Sequence, residues 1–227
     1  MTQDELRELV SHCPVLFHMA EANSWPSIEQ HGLLSATALL DLYEVTGKDR
    51  ENLERKHRPE IVTIENEKIG SVAKLRDQIP MSDSGLERCL PEGSTPADWY
   101  LYLNRRTFFW LTEERLNRLL GAKAYREKEH DVLEVDTASL VSDYAEKITL
   151  SPINSGCTKP FPHPRDFNLF KNIADYPYDN WAKKRPKGER VVELAVDYGV
   201  EDISRYIRRV TRRRGKEVID TIFQKEP

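Results

Sequence analysis

Residues 15–19, VLFHM, and residues 191–196, VVELAV, lie near opposite ends of the chain and decide the predicted fold. Each is a short apolar run with one polar residue, a pattern that is typical of a β-strand. Side chains alternate between the two faces of a strand, which leaves His18 and Glu193 on the face away from the more apolar one. Two strands, each with one polar residue on the face away from the core, are therefore expected far apart in the sequence.

The strongest strand signal lies between them, at residues 107–111, TFFWL, where Phe108 and Trp110 share one face. Further strands are predicted at 61–64, 71–75 and 132–135, and helices at 3–12, 24–31, 36–56 and 113–120, with loops at 80–96 and 151–188. Helical and strand patterns do not alternate regularly, so the fold class is α+β rather than a doubly wound sheet. No linker divides the chain, which indicates one domain over residues 1–227.

The composition is that of a polar globular protein. Charged residues make up 32% of the 227 residues and the net charge is -4, while the mean hydropathy is -0.64. Such a charge does not by itself indicate a nucleic-acid-binding protein. Three widely spaced cysteines predict reduced thiols and no zinc site. Because no signal peptide or membrane-spanning run is seen, we expect a cytoplasmic protein without membrane contact.

Glu193 and His18 each have a structural and a functional interpretation. Charged strand residues are often solvated, but in a cleft Glu193 would stabilise positive charge that develops at the anomeric carbon of a sugar. A lone strand histidine is more often structural, although His18 could instead bind a sugar hydroxyl. Phe108 and Trp110 either pack in the core or offer a ring for a planar ligand to stack on, and the sequence does not choose between them.

Several arginines could bind phosphate groups, although solvated arginines are commoner. Arg55, Arg58 and Arg76 lie beside predicted elements, and arginine suits the geometry of a pyrophosphate. Near the C-terminus, arginines recur with helical spacing, which indicates either a solvated basic face or a phosphate-binding patch. The candidates for nucleic-acid contact there are Arg208, Arg212 and Arg213. Neither a G-x-G-x-x-G sequence nor a P-loop is present, which argues against a Rossmann or kinase-like nucleotide site.

Several segments together resemble an uncharacterised bacterial family: Leu16-Phe17-His18, Trp25-Pro26-Ser27-Ile28, Arg76-Asp77-Gln78, Phe108-Phe109-Trp110 and Val192-Glu193-Leu194-Ala195-Val196. Their order is also similar to that of the ADP-ribosyltransferase superfamily, especially its DarT-like toxin branch, which modifies DNA bases. Those proteins have a histidine strand, then a helix and a Gly-Leu turn, and later a glutamate on an apolar strand. The resemblance implies a split β-sheet core with flanking helices.

The resemblance also implies an activity. NAD would be the substrate, with Glu193, His18 and Arg58 (or Arg55) as catalytic residues. His18, Phe108 or Trp110, and Arg76 would bind NAD. ADP-ribose would pass to a macromolecule, with nucleic acid as the preferred class of acceptor, and nicotinamide would leave. An antitoxin or immunity partner would be expected for a toxin of this kind.

Two departures from the superfamily pattern bear on this interpretation. The usual tyrosine of the middle strand is replaced by phenylalanine or tryptophan, and Val191 stands where arginine-modifying transferases have a second acidic residue. Arginine side chains are therefore disfavoured as acceptors. Two other functions remain open: an NAD hydrolase without a macromolecular acceptor, and a non-enzymatic module that binds nucleic acid or protein.

Overall fold

An antiparallel sheet of eight strands forms the centre of the computed structural model, which describes residues 1–226. Its strand order is β12-β11-β6-β1-β5-β9-β7-β8, and the pairs β10-β2 and β3-β4 form two small separate sheets. The strands are β1 (Val15–Glu21), β2 (Leu33–Leu34), β3 (Val62–Asn66), β4 (Ser71–Leu75), β5 (Arg106–Trp110), β6 (Glu129–Asp136), β7 (Ile148–Ser151), β8 (Lys171–Asn172), β9 (Glu193–Asp197), β10 (Gly199–Val200), β11 (Ile207–Arg214) and β12 (Glu217–Gln224).

The helices flank this sheet. They are α1 (Gln3–His12), α2 (Trp25–His31), α3 (Ala36–Leu42), α4 (Gly47–Arg55), α5 (Asp83–Glu87), α6 (Pro96–Asn104), α7 (Glu113–Leu120) and α8 (Thr137–Tyr144). Short 3₁₀ turns lie at Ala145–Lys147, Ile173–Asp175, Tyr178–Trp181, Lys187–Glu189 and Ile203–Arg205. The predicted α+β class is confirmed. No helix within residues 1–226 is long and apolar enough to cross a bilayer.

The three strands that carry the predicted site residues are neighbours in the order β1, β5, β9. Strands β5 and β9 pair at five positions, and β1 and β6 pair at seven. Strands β1 and β5, in contrast, pair at one position, Phe17 with Trp110. The sheet is therefore continuous but consists of two well-paired halves that meet at a weak joint.

Apolar clusters cover both faces of the sheet. On one face, the largest cluster joins α1, α2 and α8 to inward residues such as Leu16, Phe109 and Leu194. On the other face, one cluster is built by α5 and α6 around Trp99 and another by α7 around Leu116. The Leu116 cluster also includes Phe17 and Trp110, so it covers the one paired position of the joint between β1 and β5.

Some elements differ from the sequence predictions. The expected helix at 36–56 is two helices, α3 and α4, because the chain turns through Glu44, whose φ is 56°. The loop predicted at 80–96 contains α5, and α8 and β7 were not predicted. The helix predicted at 3–12 and the strands predicted at 15–19, 61–64, 71–75 and 107–111 form within two residues of their predicted bounds. The cysteines are unpaired, and Cys13 and Cys89 are buried.

The arginine-rich end differs from what its sequence pattern indicated. Its arginines recur with helical spacing, but the segment does not form a helix. Residues 207–214 form β11, which pairs with β6 on one side and with β12 on the other. The β-branched residues Ile207, Val210 and Thr211 are buried in the sheet, so tertiary pairing overrides the spacing of the arginines.

An ion-pair ladder joins β11 to its surroundings. The pairs are Arg208–Asp136, Arg209–Glu134, Arg212–Asp131, Arg213–Glu134, Arg213–Glu113 and Arg214–Glu129. The arginines that were predicted to contact nucleic acid thus already have carboxylate partners, and Arg213 is buried. Their nucleic-acid contact stays a prediction.

Asp131 is the buried centre of this ladder. One of its carboxylate oxygens accepts a hydrogen bond from Arg212 Nε at 2.8 Å. The other accepts from the backbone N–H groups of Ser24 at 3.0 Å and Trp25 at 3.2 Å. The carboxylate therefore connects β6, β11 and the start of α2.

We expect Asp131→Ala to lower the free energy of unfolding by about 3 kcal/mol, because buried donors lose their only charged partner. The control is Glu129→Ala, which breaks an exposed pair with Arg214 and should cost less than about 1 kcal/mol. Urea unfolding followed by circular dichroism measures both. Equal losses in the two variants would contradict the central place of Asp131.

Candidate functional site

A cavity of about 290 Å³ opens where β1 and β5 diverge. Its walls come from β1, β5 and β9, from the chain around β4, and from a loop at 154–156. The six residues predicted to act on or bind NAD all line it: His18, Arg58, Arg76, Phe108, Trp110 and Glu193. The fold thus brings together side chains that are widely separated in the sequence.

The strand register sets the order of the aromatic rings beside the carboxylate. Trp110 lies directly opposite Glu193 in the β5–β9 ladder, and Phe108 lies opposite Ala195, two residues further along. Directly opposed side chains on one face are closer than diagonal ones. Trp110 is therefore the nearer of the two candidate rings to Glu193, while both rings line the cavity.

Glu193 is a buried carboxyl group, with 4% of its surface exposed. Burial raises its pKa to about 7, and the hydrogen bond from Ser155 and the charges of Arg165 and Arg115 only partly offset this effect. The Ser155 backbone N–H donates to Glu193 Oε2 at 3.0 Å. Because the pKa lies near neutrality, a bound cation would shift this carboxyl group to its ionised form.

Arg165 holds in place the loop whose backbone donates to Glu193. The buried guanidinium of Arg165 donates to the carbonyl oxygens of Ser155 at 2.7 Å, Cys157 at 2.9 Å and His163 at 3.0 Å. This part of the chain was predicted only as a long loop, and the sequence carried no signal that Arg165 would be buried. Arg165 fixes the peptide whose N–H meets the carboxylate.

His18 bridges the weak joint. Its Nδ1 donates to the carbonyl oxygen of Phe108 at 2.8 Å, since a carbonyl can only accept. Burial lowers the pKa of His18 to about 4; the Phe108 contact partly offsets this effect and the nearby Arg76 charge adds to it. The ring is therefore neutral at pH 7, with its proton on Nδ1. Nε2 is left as a hydrogen-bond acceptor.

Arg58 belongs to a buried polar network at the cavity wall. Its guanidinium donates to Asn104 Oδ1 at 3.0 Å, to the Arg76 carbonyl at 3.1 Å and to the Leu53 carbonyl. Burial lowers its pKa to about 10, so it remains charged at neutral pH. The alternative, Arg55, pairs with exposed Asp98 at 3.5 Å and does not line the cavity. Protein acceptors occupy its guanidinium. A catalytic role for Arg58 stays a prediction.

Positive charge predominates around the cavity. Four cationic side chains line it, against two carboxyl groups, those of Asp77 and Glu193: Arg58, Lys74, Arg76 and Arg106. Arg106 stacks on the Tyr102 ring at 3.8 Å, and its buried Nε has no hydrogen-bond partner among residues 1–226. The wall therefore favours a ligand with negative charge.

Within residues 1–226, no cluster of three or more histidine, cysteine or carboxylate side chains could hold a metal ion.

A smaller cavity of about 90 Å³ adjoins the first. The two cavities share His18, Leu34, Leu39, Lys74 and Arg76 as lining residues. They consequently form two lobes of one cleft on either side of His18 and Arg76. An elongated ligand fits this shape better than a compact one.

We expect Glu193→Gln to stabilise the fold by about 3 kcal/mol at about pH 8. The folded-state pKa of Glu193 lies above the unfolded value, so the folded protein binds more protons and loses stability as pH rises between the two values. The glutamine oxygen can still accept from Ser155. Urea unfolding at about pH 8 and about pH 4 measures the effect, which should vanish at the lower pH; a destabilised variant at both would contradict it.

The comparisons with known proteins identify a family whose function is unknown. No curated protein matches the chain. One family model, described as a family of unknown function (DUF7002), matches residues 14–207, which include β1, β5, β9 and every residue of the cleft named above. The chain belongs to this family of unknown function, DUF7002.

Proposed function

We propose that this protein is an NAD-dependent ADP-ribosyltransferase that modifies a macromolecule and releases nicotinamide. The observation that carries the proposal is the convergence of His18, Trp110 and Glu193 on one cleft, from three adjacent strands. A neutral histidine, an aromatic ring and a buried carboxyl group are the groups that such a reaction needs around a nicotinamide ribose.

Glu193 would act at the reacting carbon. When the bond between C1′ of the ribose and the pyridinium nitrogen breaks, its electron pair leaves with nicotinamide, and positive charge develops at C1′. The ionised carboxylate would stabilise that charge from a preorganised, buried position. The acceptor nucleophile then bonds to C1′ and gives its proton to Glu193, whose pKa of about 7 suits a proton acceptor.

His18 and Trp110 would position the donor. The free Nε2 of His18 can accept a hydrogen bond from a ribose hydroxyl, because Nδ1 already donates to Phe108. The indole of Trp110 can stack on the nicotinamide ring next to Glu193, with Phe108 as the second aromatic wall. Holding the ribose and the ring separately would orient C1′ towards the carboxylate.

The two lobes and their charge support a dinucleotide ligand. Arg76 and Lys74 line both lobes, at the position between them. A pyrophosphate placed there would bring two negative charges to Arg76 and Lys74, in competition with the Glu21 carboxylate that Arg76 contacts at 3.3 Å. Nicotinamide riboside would occupy the larger lobe and adenosine the smaller one.

The acceptor is proposed at the level of a macromolecule. The resemblance to base-modifying toxins makes nucleic acid the preferred class of acceptor. The same resemblance implies a neutralising antitoxin or immunity partner. Arg208, Arg212 and Arg213 are not required for this proposal, since each is paired with a carboxylate on or beside β6.

Nicotinamide release from NAD by the purified protein tests the activity. We expect Glu193→Ala to reduce the rate by at least about 100-fold. Asp197→Asn is the matched control on the same strand, because Asp197 pairs with Arg105 at the surface; its rate should stay within about twofold. Release without any acceptor would indicate a hydrolase, stimulation by DNA or RNA would identify the acceptor, and absence of both release and NAD binding would overturn the proposal.

The pH dependence tests the role of Glu193 separately. We expect kcat/KM to rise with pH through about 7, because the free enzyme must lose the Glu193 proton before reaction. His18 should add no second step near neutrality, since its pKa is about 4. A flat profile between about pH 6 and about pH 8 would contradict the role of an ionised Glu193.

A further inference from the structure

Asp77 is a buried carboxyl group in the cavity wall that the proposed chemistry does not use. Its side chain is 8% exposed and lines the larger lobe. Oδ1 accepts hydrogen bonds from the Tyr125 hydroxyl at 2.6 Å and from the Ile79 backbone N–H at 3.1 Å. Oδ2 is buried and has no hydrogen-bond partner within residues 1–226.

An unpaired buried carboxylate oxygen is costly, because it loses its hydration without gaining a donor. Buried side-chain oxygens without a partner in the described part of the chain belong to Asp77 and Asn117. Asn117 lines neither lobe of the cleft. Asp77 Oδ2 is therefore a buried acceptor without a protein partner, in a residue that lines the cavity.

The surroundings hold the other oxygen of this carboxylate in place. Burial and the Asp77 contact raise the pKa of Tyr125, so its hydroxyl stays protonated and keeps donating to Oδ1. The Tyr125 ring lies under the Arg76 guanidinium at 5.1 Å and packs in the same apolar cluster as Leu119 and Trp110. The carboxylate consequently stands beside the wall that holds the indole of Trp110.

We infer that Asp77 Oδ2 accepts a hydrogen bond from the carboxamide N–H of the nicotinamide ring and thereby selects an amide over an acid at that position. This inference rests on the proposed function, because it names the donor group that a ring stacked on Trp110 presents to Asp77. A carboxylate on the ring would meet the charge of Asp77 instead of a hydrogen-bond acceptor, and would be rejected.

The test compares two ligands that differ at this one group: NAD, and nicotinic acid adenine dinucleotide, whose ring carries a carboxylate. Calorimetric titration should show that the wild-type protein binds NAD at least about 100-fold more tightly than the acid. Asp77→Asn keeps an oxygen for Tyr125 and Ile79 but presents an amide N–H to the ligand. We expect this variant to bind NAD about tenfold more weakly, to bind the acid more tightly, and so to lose most of the preference.

The control is Asp83→Asn, since Asp83 accepts from the Tyr100 hydroxyl at 2.7 Å in the same kind of contact outside the cleft. Its preference should match that of the wild type. If the wild-type protein binds NAD and the acid equally, or if Asp77→Asn leaves the preference unchanged, the inference is wrong while the proposed function stands. If the wild-type protein binds neither ligand, the proposed function fails and the inference fails with it.

Discussion

The hydrogen bond from His18 to the Phe108 carbonyl is the contact on which the rest of the site depends. Strands β1 and β5 are adjacent but pair only through Phe17 and Trp110, so their remaining backbone groups are not joined in a ladder. The imidazole takes the place of one missing ladder contact. It therefore keeps the two halves of the sheet together while leaving room between them for a ligand.

This joint also explains why charged groups are buried there. On this face, residues of both the Trp99 cluster and the Leu116 cluster line the cleft, and the Leu116 cluster includes Phe17 and Trp110 at the joint itself. Glu193, Asp77 and Arg58 are buried between them at a cost in stability. The apolar core on the opposite face, which runs without interruption beneath both halves, offsets that cost. Such local destabilisation is common where a site is built for function rather than for folding.

Much of this site could be predicted from alternation along three strands. The pattern in residues 15–19, 107–111 and 191–196 separates His18 and Glu193 from the more apolar face of their strands and puts Phe108 and Trp110 on one face, because the period of a strand is fixed. The adjacency of β1, β5 and β9 is a feature of the structure alone. It could not be derived from the residues themselves, since strand order depends on long-range pairing.

Other features had no local signal. The spacing of the C-terminal arginines indicated a helix, but their charges are satisfied across strands by carboxylates of β6, and this pairing decides the conformation. The burial of Arg165 and the unpartnered oxygen of Asp77 depend on how loops pack around the cleft. Sequence periodicity describes the faces of strands and helices, and it does not describe loops of this kind.

The structure of Glu193→Gln crystallised with NAD tests the central claim most directly, because the variant should bind the dinucleotide without consuming it. We expect the nicotinamide ring against Trp110, a ribose hydroxyl within hydrogen-bond distance of His18 Nε2, and C1′ facing residue 193. NAD bound elsewhere on the protein, or an empty cleft at saturating NAD, would contradict the assignment of this joint as the site of ADP-ribosyl transfer.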